Sequence, residues 1–241
     1  MNPDNRSSIF VVVAMLLWTS VVNAESLATL VERTCVLPRD TTSVSAYLEL
    51  EGAEAASKCQ NNGDKEACRL AEKIYGDRAR QCDAYAMWFL ADLAESGDLE
   101  VVMPSSEIAK LQLFAASGGV PKAQLWRGLH YYSGDHDARD PVAAFAWFEK
   151  AALNGEVVAQ AAVAKMLYIG EGVDRDTKEA LTWACIVVSN GSRNLLDRSP
   201  YGFLEPGVAP SDLDPKASKR ARALLKAHPK AAPAPGLKIS C

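Results

Sequence analysis

Residues 123–134 read AQLWRGLHYYSG and residues 144–155 read AFAWFEKAALNG; residues 159–170 then read AQAAVAKMLYIG and residues 180–191 read ALTWACIVVSNG. The second pair overlies the first at an offset of 36. Ala123 falls on Ala159, Gln124 on Gln160, Gly134 on Gly170, Asp140 on Asp176, Trp147 on Trp183 and Gly155 on Gly191. A period of this length marks a solenoid, in which each unit buries its faces only against its neighbours. A third, weaker copy lies upstream. Ala115, Ala116 and Gly119 keep the offset to Ala151, Ala152 and Gly155. Ala86, Leu90, Ala91, Ala94 and Gly97 keep the spacing of the first half with one residue added.

Each copy reads as two helices. Ala144, Trp147, Phe148, Ala151 and Ala152 recur at i, i+3, i+4, i+7 and i+8, one apolar face. Ala180, Trp183, Ala184, Val187 and Val188 repeat it, and Ile108, Leu111, Ala115 and Ala116 precede it. This periodicity predicts that Trp147 and Trp183 are core. Asp140-Pro141 sets a capping carboxylate before a proline at the first helical position. Asp176 with Glu179 reads as an Asp-headed capping box. Gly134, Gly155, Gly170 and Gly191 end helices where a left-handed residue is needed. Small residues such as Gly128 and Ala164 let neighbouring helices approach closely. The expected fold is an all-α, α/α solenoid.

These residues resemble the Sel1-like repeat, a branch of the tetratricopeptide-type solenoids. The match rests on Ala123, Gly128, Tyr131, Gly134, Asp140, Ala144, Trp147, Lys150, Ala151, Ala152 and Gly155. The next copy keeps Gly170, Gly172, Val173, Asp176, Ala180, Trp183 and Gly191. Arg127 stands where the family has Leu, His136 and Asp137 replace the second Gly and Val of one turn, and Ile186-Val187-Val188 replaces Lys-Ala-Ala. The resemblance covers residues 84–191 and implies a binding scaffold without catalysis or cofactor.

Outside the repeats the chain reads as caps. Its 241 residues are 49% hydrophobic and 23% charged, with a net charge of −4. That is ordinary for a folded domain and offers no basic patch for nucleic acid. Residues 1–8 are polar, residues 9–18 are an unbroken apolar run, and residues 19–24 end in Val22-Asn23-Ala24. This order reads as a secretory signal peptide cleaved after Ala24. Ten apolar residues would span only about 15 Å as a helix, roughly half a bilayer core. Residues 25–83 then form an N-terminal helical cap, with helices near 27–33, 44–58 and 65–74. Three repeats follow over 84–122, 123–158 and 159–194. Residues 195–228 hold a Pro/Gly-rich connection (199–210) and a basic capping helix (216–226). Residues 229–241 are expected to be a flexible tail.

All six cysteines lie beyond the signal segment, so they belong to a compartment where disulfides persist. Spacing alone leaves the pairing of Cys35, Cys82, Cys185 and Cys241 open. The resemblance to cysteine-rich bacterial members implies a bridge from Cys59, ending one helix, to Cys68, starting the next. A loop of this size adds roughly 2–3 kcal/mol.

Candidate chemistry is sparse. His130, Asp135, His136, Asp137 and Asp140 are ligand types for a divalent metal. The repeat register puts them at a turn between helices, with Asp140 as a cap, and no metal is expected. HExxH, GxSxG and phosphate-loop motifs do not occur. Cys185, beside Trp183 and Ala184, reads as packed or disulfide-bonded. Trp88, Trp126, His130 and Tyr132 lie off the strict repeat positions and are the candidate partner-binding residues, since aromatics anchor interfaces.

The expected function is an exported scaffold that binds another cell-envelope protein, reaching the membrane only through that partner. The resemblance extends to envelope regulators of sensor kinases and to a ring component of the sodium-driven flagellar motor. Cysteine-rich relatives linked to β-lactam hydrolysis are a further class, but no Ser-x-x-Lys motif occurs here.

Overall fold

The computed structural model describes residues 26–35, 51–97, 103–134, 138–197, 202–204, 209–232 and 234–241. The leader read over 1–24, the start of the helix read over 44–58, residues 135–137 and most of the 199–210 connection lie outside them. The described residues are helices and connections without a strand. In chain order the helices are α1 (Leu27–Thr34), α2 (Glu51–Asn62), α3 (Lys65–Ala79), α4 (Ala84–Ser96) and α5 (Ser105–Ser117). Then come α6 (Pro121–Ser133), α7 (Pro141–Leu153), α8 (Val157–Ile169) and α9 (Thr177–Ser189). Two single turns, α10 (Asn194–Asp197) and α11 (Pro210–Leu213), lead to α12 (Ala217–Ala227) and a 3₁₀ turn, Pro229–Ala231. From α2 to α9 successive helices pack on one another, and α1 packs on α3 and α5. That nearest-neighbour pattern is a solenoid's.

Local chemistry fixes the helix starts. Asp140 accepts from the Val142 and Ala143 N–H groups at 3.0 Å each. Asp176 accepts from the Glu179 N–H at 2.9 Å. The reciprocal half of the expected capping box does not form, because the Asp176 N–H is already donated to the Leu167 carbonyl at 3.0 Å. Gly134 and Gly170 close α6 and α8 with φ of 79° and 77°, the left-handed turn that glycine adopts without penalty. Gly128 explains the close approach of α6 and α7. A Cβ there would lie 2.5 Å from the Phe148 ring.

The core is largely alanine and falls into two clusters that meet at α6. One runs from Ala28 to Ala123, the other from Ala144 to Ala231. Phe148 is 0% exposed and Trp183 is 2% exposed. Trp147 corrects the sequence reading. It is only partly buried, packs on the edge of the first cluster, and carries the Lys150 ammonium 4.2 Å above its ring. Trp183 shares its cluster with Ala217 and Ala221 of α12. The periodicity marked one face of α7 correctly, but the buried aromatic on it is Phe148.

Disulfides close both ends of the stack. Cys59 in α2 bonds Cys68 in α3, Cys35 after α1 bonds Cys82 before α4, and Cys185 in α9 bonds the C-terminal Cys241. The last bridge corrects the expectation of a flexible tail. Ala231 is fully buried, and Leu237 and Ile239 pack on the second core cluster. Gln160 Nε2 donates to the Ala231 carbonyl at 2.6 Å, and the Ser240 N–H donates to Ser189 Oγ at 2.9 Å. Ser211 Oγ donates to the Cys241 carbonyl. The Pro/Ala composition of the tail signals no periodic structure, whereas its anchors are one covalent bond and main-chain carbonyls, which composition does not register.

Candidate functional site

The first turns of α4 and α6 and the turn before α8 lie around one cavity of about 490 Å³. Its construction begins at Cys82, whose φ of 66° is the one positive value at a non-glycine among the described residues. A cysteine in that conformation is strained, and the bond to Cys35 fixes the turn there. Asp83 follows and caps α4, accepting from the Tyr85 and Ala86 N–H groups at 3.0 and 3.1 Å. The same carboxylate lies 3.5 Å from the Arg78 guanidinium. The cap sets the phase of α4, so Tyr85, Trp88 and Phe89, at i, i+3 and i+4, all line the cavity. Phe89 stacks on Tyr75 of α3 with ring centroids 5.1 Å apart. Val120, Pro121 and Lys122 form one wall, and Asn154, Gly155 and Glu156 another.

Burial pushes the Tyr75 phenol pKa up, against the opposing effect of Arg78. Burial, then the Asp83 charge, does the same for Tyr85. Both therefore stay protonated through the physiological range, as neutral groups on an apolar surface. Charge is confined to Arg78, Asp83, Lys122 and Glu156 among the lining residues. Aromatic anchors with a polar rim describe a binding surface. Among the described residues no group of His, Cys, Asp and Glu is placed to hold a metal ion. No helix among them is long and apolar enough to cross a membrane.

The four candidate residues do not come together. Trp88 lines the cavity just described. Trp126 and His130 lie ring against ring, centroids 3.8 Å apart and planes tilted by 46°, and line a separate cavity of about 540 Å³ with Glu95, Ile108 and Arg127. Tyr132 is inter-repeat packing: its ring lies 6.2 Å from Phe148, and its O–H donates to Glu171 in the turn after α8 at 3.0 Å. Arg139 pairs with the same carboxylate. Of the His/Asp cluster, Asp140 is a helix cap and His130 belongs with Trp126; residues 135–137 are outside the described residues. Sequence reading missed Tyr75, Tyr85 and Phe89. Their signal was the helical spacing of Tyr85, Trp88 and Phe89, lying where the repeat pattern is weakest.

Stacked helical hairpins with this register define an α/α solenoid of the tetratricopeptide type, a scaffold class. Residues 121–156 and 157–186 match the Sel1 repeat model. The crystal structure of a protective antigen present in uropathogenic Escherichia coli strains, displaying an SLR fold, covers 75% of this chain and 38% of its own. Its TM-score is 0.54 at 22% identity, a likeness of fold. A Sel1 repeat protein from Oxalobacter formigenes aligns over 53% of this chain and 96% of its own, with 27% identity and a TM-score of 0.49. The chitin synthase regulator SKT5 of Saccharomyces cerevisiae is 30% identical over 118 residues, 47% of this chain. The chain spans only 17% of that yeast protein.

Proposed function

We propose that this protein is an exported, non-catalytic scaffold that holds a partner protein of the cell envelope in the aromatic cavity between α3, α4 and α6. The observation that carries the reading is the group Tyr75, Tyr85, Trp88 and Phe89, four aromatics gathered around one cavity whose charged lining is confined to Arg78, Asp83, Lys122 and Glu156. Support for export comes from the signal-like order of residues 1–24 and from three disulfides, which persist in oxidising compartments. Support for binding comes from the Sel1 repeats and from a distant relative that is itself described as a regulator.

Export predicts a mature N-terminus at Glu25, read by N-terminal sequencing of protein recovered from the source organism. An intact Met1 in the membrane fraction would overturn it. Binding is tested by pull-down from envelope extract with the full mature chain. Trp88→Ala should lose the captured partner while keeping its helical circular dichroism, as for a central aromatic anchor worth about 2 kcal/mol or more. Undiminished capture by Trp88→Ala would remove the cavity from the interface.

A further inference from the structure

The net charge of −4 hides a sharp division along the chain. Residues 1–214 carry 30 acidic and 19 basic side chains, whereas residues 215–241 carry seven basic and no acidic ones. Such an asymmetry in one terminal segment points to a partner with many negative charges.

The fold turns these charges into one surface. On α12, Ala217 and Ala221 are fully buried and Leu224 packs on the second core cluster, so the apolar face of the helix is already covered. On the opposite face Lys216, Lys219, Arg222 and Lys226 follow at intervals of three, three and four residues, and all four are exposed. Lys230, in the 3₁₀ turn that follows, is exposed as well. The tail then returns along the helix. Arg222 Nη1 donates to the Ile239 carbonyl at 3.4 Å, and Ser218 Oγ lies 3.1 Å from Cys241 Sγ, which sets the exposed Lys238 beside the row. The Cys185–Cys241 bond fixes this arrangement. Arg220 is turned inward instead. It donates to Thr182 Oγ1 at 2.9 Å, to the Asp214 carboxylate at 2.7 Å and to the Lys178 carbonyl at 3.0 Å. Asp214, the last acidic residue of the chain, is thereby engaged. The five lysines of the surface enter no ion pair among the described residues.

Lysine is a compact, hydrated point charge without the planar fork that grips one carboxylate or phosphate, so a lysine-rich row senses charge density. From Lys216 to Lys226 the row runs about 15 Å along the helix, longer than any single anionic group. The acidic remainder of the chain is repelled by whatever attracts the row, so a plane of negative charge is met with the C-terminal end first. Leu213, 54% exposed, stands at the head of the row. A lipid interface accepts such an apolar side chain, and a dissolved polyanion does not. A bilayer with anionic headgroups meets all of these conditions.

We propose that α12 and the tail form a peripheral membrane-binding surface, which seats the C-terminal end of the stack on anionic phospholipid headgroups. The attraction is electrostatic, because the helix keeps no apolar face to insert, and salt weakens it. It gives the chain a membrane contact of its own, beside any made through a partner protein.

The test is co-sedimentation of the oxidised chain from Glu25 onward with vesicles of phosphatidylcholine, alone or mixed equally with phosphatidylglycerol. Binding to the mixed vesicles should be at least about tenfold tighter at about 0.05 M salt and should fall away by about 0.5 M. Joint Lys219→Glu, Arg222→Glu and Lys226→Glu should weaken it at least about tenfold. Joint Lys58→Glu, Lys65→Glu and Lys73→Glu, at exposed positions of α2 and α3, alters the net charge equally and should leave most of the binding in place. Equal binding to both vesicle types, binding that salt does not reduce, or equal loss in the two triple variants would overturn the proposal. Capture by dissolved polyglutamate as tight as by vesicles of equal charge would overturn it too, by assigning the row to an acidic protein. The lipid and salt arms use the unsubstituted chain and decide the matter even where a variant fails to fold. Partner capture in the aromatic cavity is read without lipid, so either result stands or falls without the other.

Discussion

Truncating Phe148 to alanine should cost about 3–5 kcal/mol of unfolding free energy, the usual penalty for a large buried aromatic. Its ring is completely enclosed and lies where a side chain on Gly128 would have to stand. No small rearrangement closes the hole, because α6 and α7 are already as near as a glycine allows. For a domain worth roughly 5–15 kcal/mol in total, the change is a large fraction. Trp183→Ala belongs in the same range, since Trp183 is 2% exposed and shares a cluster with α12. Trp147→Ala is the contrast. Its ring is covered on one face by Lys150 and only partly buried, so a loss of about 1 kcal/mol is expected. Urea melts of the three variants decide it. If Trp147→Ala is as damaging as Phe148→Ala, the packing described for α7 is wrong.

Replacing Cys185 and Cys241 together by serine should cost about 4 kcal/mol, as chain-entropy reasoning gives for a loop of this size; the two cysteines are 56 residues apart. The effect should be local as well as global. Without the bridge, the tail keeps its hydrogen bonds with Gln160, Ser189 and Ser211 and its contacts through Leu237 and Ile239. Only such non-covalent contacts then hold a segment rich in Pro, Ala and Gly against its chain entropy. Limited trypsin digestion followed by mass spectrometry should therefore show cleavage after Lys238 much faster in the double variant than in the oxidised parent. Equal rates would mean that the tail is held by packing alone.

The repeat core was legible because a solenoid repeats its constraints. Asp140 and Asp176 cap, Gly134 and Gly170 turn left-handed, and Phe148 and Ala184 are enclosed, each at a position the offset foretells. What the offset does not carry is which neighbour covers a given face. Trp147 and Trp183 are equivalent in register, yet only the second has α12 in its cluster. Equivalent positions are buried equally only where the stack continues equally on both sides. The cavity was half legible for a related reason. Trp88 stood out as an aromatic off the repeat pattern, but Tyr75 comes from the cap, where no repeat exists to depart from. Tyr132 looked like a groove residue because its partner, Glu171, is 39 residues away in sequence. The tail's fold was illegible, since its anchors are a distant cysteine and backbone carbonyls.

The placement of the three bridges bears on how the array comes apart. A linear stack held by nearest-neighbour contacts loses its ends first, because a terminal unit has only one neighbour to lose. Here the terminal helices are the stapled ones: α1 through α4 by Cys35–Cys82 and Cys59–Cys68, and α9 with the last residue by Cys185–Cys241. No bridge joins α5, α6, α7 or α8. Fraying is suppressed at the points where it would start most cheaply, and the interior units, which have neighbours on both sides, lack staples. An array built this way melts as one block in its oxidised form and peels from its tips only once its disulfides are reduced.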